Sequence, residues 1–205
     1  MAHKSINATF ERIVRNGRYV VLDTETTGTG DDAEIVSIAI CSADGTVLLD
    51  TLVKPVKPIP MASTKVHHIT DADVADCPTW LEIQPLVVEF ITGKVVIAYN
   101  AQFDFKMLGA SDEASGLPAL DYHDIAKFGC AMKYYAEYAG DWNDYRESWR
   151  WHKLTDAMKQ QHLPVIDAHH ALGDVLMTLS LLKKLIAEIG AYEEPETEPI
   201  ESNSQ

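Results

Sequence analysis

The sequence predicts an α/β fold in which a mixed β-sheet is flanked by helices. Three apolar runs come first, separated by short turns, and indicate a three-stranded antiparallel meander. Strand patterns then alternate with helical periodicity, which is typical of parallel strands joined through helices. With 205 residues and 46% hydrophobic residues, the chain can build one domain with a substantial core.

The first third of the chain contains the predicted meander. An amphipathic helix over residues 5–16 leads into a first strand that begins at residue 18. The second strand is expected over residues 34–41 and the third over residues 47–53, with a hairpin turn between them. Three prolines within residues 55–60 remove amide donors and restrict φ, so we expect a loop there.

The rest of the chain is predicted to be mainly helical. A helix over residues 79–91 precedes a short, fully buried strand over residues 94–98. Further helical periods cover residues 103–108, 125–138, 154–162 and 171–189. Residues 193–199 are acidic and lack apolar periodicity, so we expect this tail to be disordered.

The net charge and the apolar pattern limit the classes of function that the chain can have. A formal net charge of -14 argues against binding nucleic acid through a broad basic surface, although a local site neutralised by metal is compatible with it. No apolar run approaches the length of a membrane span, and residues 1–18 lack the apolar core of a signal peptide. We therefore expect a soluble, cytoplasmic protein with no membrane partner.

Two carboxylates end the first predicted strand. Asp23 and Glu25 are two residues apart, so they point to the same face of the strand. Like charges held this close must be solvated, share a proton or hold a cation. The alternative is a strand end whose ordinary surface acids extend into a turn.

Two further acidic positions follow in the chain. Asp104 comes just after the buried strand at 94–98, where ligands gather at the carboxyl ends of strands in α/β sheets. It could equally be an N-terminal helix acid that favours the helix dipole. Asp174 lies at the start of the final helix and raises the same alternatives.

Two histidines precede Asp174. A histidine has a pKa suited to a general base near neutral pH, although a lone histidine is more often a packed or solvated residue. Helical geometry places His170 on the face of Asp174, at i and i+4. His169 reaches the same site only if it lies in the loop ahead of the helix.

Together these segments resemble the three motifs of the DEDDh 3′→5′ exonucleases, a family with a ribonuclease H-like fold that includes the proofreading epsilon subunit and exonuclease X. The stretch around His67 and His68 also resembles their His-x-Ile-Thr segment. The motifs here read Asp23-x-Glu25-Thr26-Thr27-Gly28, Asn100-Ala101-x-Phe103-Asp104 and His169-x-Ala171-x-x-Asp174.

The resemblance implies a metal-dependent exonuclease. Oxygen ligands suit Mg²⁺ or Mn²⁺, and the resemblance assigns two such ions to the four acidic residues of the motifs. It makes His169 the general base. The substrate-binding positions that it implies are Thr26, Thr27, His68, Asn100 and Phe103. For Phe103 a core packing role is the alternative.

The expected reaction is hydrolysis of phosphodiester bonds at the 3′ end of single-stranded DNA, with release of nucleoside 5′-monophosphates. The alternatives are a 3′→5′ exoribonuclease that trims RNA and a non-catalytic polymerase accessory module. Expected partners are DNA 3′ ends, a polymerase or another replication or repair protein in trans, and a second copy of the chain. We divide the chain into an N-terminal helical extension at 1–17, an exonuclease domain at 18–190 and an acidic tail at 191–205.

Three features depart from the motifs or lie outside them. Tyr99 stands where many members of the family have histidine, and Thr29 stands where an apolar residue often contacts the terminal base. Residues 141–152 interleave aromatic side chains with arginines. This segment could stack on the bases of a single strand, but a surface loop anchored by its tryptophans is the interpretation we favour.

Overall fold

The computed structural model of the chain describes residues 8–118 and 120–190. The acidic tail predicted to be disordered lies outside these described residues. The strands are β1 (Tyr19–Thr26), β2 (Ile35–Ser42), β3 (Val47–Leu52), β4 (Val95–Ala98), β5 (Lys127–Cys130), β6 (Trp142–Asn143) and β7 (Ser148–Trp149). The helices are α1 (Ala8–Asn16), α2 (Met61–His67), α3 (Asp71–Val74), α4 (Trp80–Ile91), α5 (Ala101–Ala114), α6 (Tyr122–Ile125), α7 (Ala131–Ala139), α8 (Leu154–Gln160) and α9 (Ala171–Gly190).

Five strands form one mixed sheet in the order β3-β2-β1-β4-β5. The first three strands of the chain are antiparallel neighbours, and β4 and β5 continue the sheet parallel to β1. The predicted α/β class, with a meander followed by parallel strands, is therefore confirmed. Because β1 and β4 run in the same direction, their carboxyl ends meet at one edge of the sheet.

The two faces of the sheet are covered by different helices. Val21 and Ala39 pack in one apolar cluster with α1, α7, α8 and α9. Leu22 and Ile38 pack in a second cluster with α4 and α5 on the opposite face. Since side chains alternate along a strand, the residues of β1 in line with Val21 point toward α9.

The N-terminal helix belongs to the first of these clusters. Phe10 and Val14 of α1 are buried there, and the ring of Phe10 lies 4.2 Å from that of Tyr134, centroid to centroid. The described part of residues 1–17 thus packs against the sheet. None of the helices within residues 8–118 and 120–190 has the length and apolar character needed to cross a membrane.

One predicted helix was wrong over its first half. Residues 125–138 were expected to be helical, but Lys127–Cys130 form β5 and the helix begins only at Ala131. β5 has four residues and pairs in parallel with β4, with Val95 opposite Lys127. A strand this short carries no periodicity of its own, so the helical pattern that follows it dominated the prediction.

Candidate active site

Three carboxylates from two elements converge at the carboxyl end of β1. Asp23 and Glu25 share the face of β1 that α9 covers, and Asp174 projects from the first turn of α9. One carboxylate oxygen from each lies within 4.8 Å of the others. The pair at the strand end is therefore part of a cluster, as the cation hypothesis requires.

Asp104 approaches the same edge from the other face of the sheet. Helix α5 begins directly after β4, so its first turn places Asp104 beside the end of β1. The hydroxyl of Thr24 donates a 2.8 Å hydrogen bond to Oδ1 of Asp104, and both side chains are buried. Thr24 was not among the predicted site residues, because only the position of α5 shows that its hydroxyl meets this carboxylate.

Burial, and to a smaller extent the neighbouring carboxylates, raise the pKa values of Asp23, Glu25 and Asp104. Burial raises the pKa of Glu25 to about 8, and the charges of Asp174 and Asp104 add to this effect. Burial raises the pKa of Asp104 to about 7 against the lowering effect of the Thr24 hydrogen bond. Burial and the other three carboxylates raise the pKa of Asp23 well above its usual range.

The pKa of Asp174 is also raised. Burial raises its pKa, whereas a hydrogen bond from the backbone of His169 and the charges of both neighbouring histidines lower it. Its Oδ1 is buried and has no hydrogen-bond partner among the described residues. An unpaired buried carboxylate oxygen is costly unless a cation or a proton occupies the site.

The donor set of this cluster fits a hard divalent cation. Asp23, Glu25 and Asp174 offer oxygens close enough to share an ion, and Asp104 lies within electrostatic range of them. Carboxylate oxygens without sulfur or imidazole in the group suit Mg²⁺ or Mn²⁺. A bound cation would compensate the burial of these carboxylates and the repulsion between them, the two effects that raise their pKa values.

The two adjacent histidines lie ahead of α9 and differ in their surroundings. His169 is exposed in the loop that precedes the helix and has φ of 67°, in the left-handed region. This is the loop position that sequence reasoning required for it to reach the site. His170 is also exposed. It lines a cavity of about 370 Å³ whose wall includes Asp50 and Leu52 of β3.

The two threonines after Glu25 are buried and form hydrogen bonds within the protein. The Thr26 hydroxyl donates to the carbonyl of Gly28 at 2.7 Å. The Thr27 amide donates to the carbonyl of Glu34, and the Thr27 hydroxyl accepts from the Glu34 amide at 2.9 Å. Thr27 therefore closes the turn between β1 and β2, which is the role that its contacts support.

The segment around His67 is connected to this turn. The Ser63 hydroxyl of α2 donates to the carbonyl of Thr27 at 2.7 Å. His67 is buried and its Nδ1 accepts from the amide of Ile69, so it stabilises the local turn. His68 follows with φ of 62° and an exposed side chain, which leaves it accessible to a substrate.

The other expected substrate positions lie at the start of α5. Asn100 is exposed at the N-cap, without a side-chain cap hydrogen bond. Phe103 is half-buried against the second apolar cluster, in agreement with its packing alternative. Of the two departures, Tyr99 is buried and donates to the carbonyl of His152 at 2.8 Å, whereas Thr29 is exposed.

A family model supports the interpretation of this geometry. The model of the RNase T family, described as exonuclease, matches residues 20–182, which is most of the chain. The chain belongs to this exonuclease family. The match contains all four clustered carboxylates and His169, and the resemblance to the DEDDh exonucleases is confirmed at the level of the family.

Individual relatives agree with this membership. The exonuclease is 40% identical over 169 residues to the uncharacterized exonuclease CP81 of Escherichia phage 186, a match that covers 81% of this chain and 87% of that protein. It is 28% identical over 173 residues to the DNA polymerase III subunit epsilon of Treponema pallidum, covering 82% of this chain and 76% of that protein.

Solved structures show the same fold. Exonuclease X in complex with 5′ overhanging duplex DNA superimposes with a TM-score of 0.61 at 27% identity and covers 84% of this chain and 93% of that one. E. coli exonuclease I in complex with a dT13 oligonucleotide gives a TM-score of 0.65 at 16% identity, covering 85% and 42%. The second likeness shows the fold alone, and the ribonuclease H-like prediction is confirmed.

Proposed function

We propose that this exonuclease hydrolyses DNA from the 3′ end and depends on Mg²⁺ or Mn²⁺. The observation that carries the proposal is the convergence of Asp23, Glu25 and Asp174 within 4.8 Å, with Asp104 beside them. A cluster of this charge repels a phosphodiester, so the site needs cations before it can accept nucleic acid. Relatives named as epsilon subunits, and exonuclease X with bound DNA, favour DNA as the substrate.

In this proposal the four carboxylates hold two divalent ions. Such ions, when bound, supply positive charge for the substrate, lower the pKa of the attacking water and stabilise the leaving 3′-oxygen. The residues of the chain hold and orient the reactants. Asp23, Glu25 and Asp174 offer a shared set of oxygens, and the Thr24 hydroxyl fixes the orientation of Asp104.

His169 is assigned as the general base in this proposal. Its exposed position in the loop ahead of α9 gives its ring access to solvent and substrate, and its backbone is bonded to the carboxylate of Asp174. A histidine near neutral pH can accept the proton that the attacking water loses. His68 and Asn100, whose side chains are exposed, are assigned in this proposal to the terminal nucleotide, and Thr26 is assigned to its 3′-hydroxyl.

The wider organisation is proposed from the same relatives. Residues 18–190 form the exonuclease domain in this proposal, with α1 docked on it and the acidic tail outside it. Names such as DNA polymerase III subunit epsilon support a polymerase as a partner in trans. A second copy of the chain stays a prediction that gel filtration with light scattering tests.

The experiment that tests the proposal is degradation of a 5′-labelled single-stranded DNA oligomer with Mg²⁺, with Mn²⁺ and with EDTA. We expect a ladder that shortens from the 3′ end in both metals, and no cleavage in EDTA or with Asp23→Ala. Glu89→Ala is the matched control, because Glu89 is an exposed acid on α4, on the opposite face of the sheet. If a matched RNA oligomer is degraded faster than the DNA, the substrate is RNA and not DNA. Cleavage that persists in Asp23→Ala would contradict the assignment of the active site.

A further inference from the structure

The exposed aromatic side chains of the described protein are concentrated in one short segment. Among residues 8–118 and 120–190, the exposed phenylalanine, tyrosine and tryptophan side chains all lie between residues 141 and 152. They are Trp142, Tyr145, Trp149 and Trp151, with 46%, 96%, 37% and 64% of their surfaces exposed. Exposed apolar surface that is concentrated in one place is a common feature of interaction sites.

The segment is an ordered hairpin. Strands β6 and β7 pair with Trp142 opposite Trp149, and the two indole rings meet edge to face with centroids 4.9 Å apart. The amide of Arg150 donates to the carbonyl of Asp141 at 2.9 Å. An isolated two-stranded hairpin is marginally stable in water, and the contact between Trp142 and Trp149 adds to the stability of this one. We refer to residues 141–152 as the aromatic hairpin.

The base of the aromatic hairpin is attached to the edge of the sheet that carries the carboxylates. The Tyr99 hydroxyl donates to the carbonyl of His152 at 2.8 Å, and the ring of His152 packs edge-on against Tyr135. Tyr99 follows β4 directly and precedes Asn100, the N-cap of the helix that bears Asp104. The hairpin thus contacts the residue just ahead of α5, the helix whose first turn carries Asp104.

The local charge of this region also differs from that of the chain. The aromatic hairpin contains three acidic side chains and two arginines, a formal net charge of -1, whereas the chain as a whole carries a net charge of -14. A polyanion approaching here therefore meets little net repulsion from the hairpin itself. Arg146 and Arg150 are exposed and can contact phosphates, although Arg150 also pairs with Asp141 at 3.5 Å.

We propose that the aromatic hairpin binds single-stranded DNA by stacking its exposed rings on bases upstream of the nucleotide in the carboxylate cluster. This rests on the proposed function, since it names how that substrate is held. Stacking of bases on aromatic rings tolerates any sequence because every base has a π-face. The carboxylate cluster binds the reacting phosphate, and the hairpin supplies affinity for the strand that follows it.

The test measures binding without catalysis. The dissociation constant of a fluorescently labelled single-stranded DNA, whose 3′-terminal linkages are hydrolysis-resistant phosphorothioates, is measured by anisotropy in Mg²⁺ for the wild type, Trp151→Ala, Trp151→Phe and Tyr145→Ala. Loss of one stacking ring is expected to weaken binding about 5- to 150-fold, whereas Trp151→Phe keeps an aromatic ring and should retain most of the wild-type affinity. Because both side chains are exposed, the melting temperature should not change.

Two controls separate this inference from the proposed function. Leu81→Ala removes an exposed apolar side chain of α4 on the opposite face and should leave the DNA affinity unchanged. Hydrolysis of an aryl ester of a nucleoside 5′-phosphate, which is too small to reach the hairpin, should proceed at the wild-type rate in the hairpin variants. An unchanged dissociation constant in Trp151→Ala and Tyr145→Ala, or an equal loss in Leu81→Ala, would overturn the proposal. If the wild type binds DNA through the hairpin but hydrolyses neither substrate, the proposed function is wrong and the binding role of the hairpin is still supported.

Discussion

At the scale of single residues, His169 and His170 are neighbours with different surroundings. His169 lies in a left-handed turn whose backbone is bonded to Asp174, while the side chain of His170 borders the cavity beside β3. Helical spacing alone favoured His170 as the partner of Asp174. The loop conformation removes that preference, because His169 is outside the helix and its position is not set by helical geometry.

We predict that His169→Ala lowers kcat by about 10²- to 10⁴-fold, the usual contribution of a general base, while KM changes little. His170→Ala is the matched control and should retain most of the activity. Single-turnover rates on a labelled DNA oligomer in Mg²⁺ measure both variants, and the affinity for a DNA with phosphorothioate 3′ linkages in Mg²⁺ checks that binding survives. A larger loss in His170→Ala than in His169→Ala would reverse the assignment.

The carboxylates of the site are predictable from sequence, but their supporting contacts are not. Asp23 and Glu25 share a face because of strand periodicity, and Asp104 follows a strand that ends at the same edge. Thr24 points away from that pair, so the strand pattern gave no reason to select it. Its contact with Asp104 exists only because α5 packs on the opposite face of the sheet.

At the scale of elements, the first turn of α9 is packed closely against the loop that carries His169. A Cβ atom added to Gly173 would lie 2.4 Å from the carbonyl oxygen of Asp167 and 3.0 Å from that of Ile166. These are backbone atoms, and Asp167 has φ of 37°, so the loop has little freedom to adjust. The close approach fixes the loop relative to Asp174, one residue further along the helix.

We therefore predict that Gly173→Ala displaces the loop and lowers kcat by an order of magnitude or more. A misplacement of about 1 Å at a catalytic group can cost about 10²-fold in rate. Gly109→Ala is the matched control, because Gly109 is a helical glycine of α5 whose Cβ would meet no atom within 4 Å. That variant should keep its activity and gain up to about 1 kcal/mol in unfolding free energy, measured with urea. Wild-type turnover in Gly173→Ala would show that the loop tolerates the shift.

The same scale explains which elements could be predicted. The long runs of β2 and the 20-residue pattern of α9 have the periodicity that sequence analysis detects. Strand β5 and the aromatic hairpin have four and two residues per strand, and their form depends on neighbours that are distant in sequence. For β5 that neighbour is β4, and for the hairpin it is Tyr99.

At the scale of the whole molecule, the carboxylate cluster links folding to protons and cations. The pKa of Glu25 rises from 4.5 to about 8 and that of Asp104 from 3.8 to about 7 on folding. At pH values between the unfolded and the folded pKa of each group, the folded protein binds more protons than the unfolded chain. The stability of the metal-free protein therefore decreases as pH rises. This contribution is fully present below about pH 4 and is lost as pH passes through about 7 to 8.

We predict that the metal-free protein melts at a lower temperature at about pH 8.5 than at about pH 5.5, and that Mg²⁺ raises the melting temperature mainly at the higher pH. At low pH protons already occupy the cluster, whereas at high pH the ionised carboxylates repel one another until a cation binds and stabilises the folded state. Calorimetric scans in EDTA and in excess Mg²⁺ measure both effects. Glu25→Gln removes one of the coupled charges, so it should melt higher than the wild type in EDTA at about pH 8.5 and respond less to Mg²⁺. An equal gain from Mg²⁺ at both pH values would show that cations stabilise the protein elsewhere than at these carboxylates.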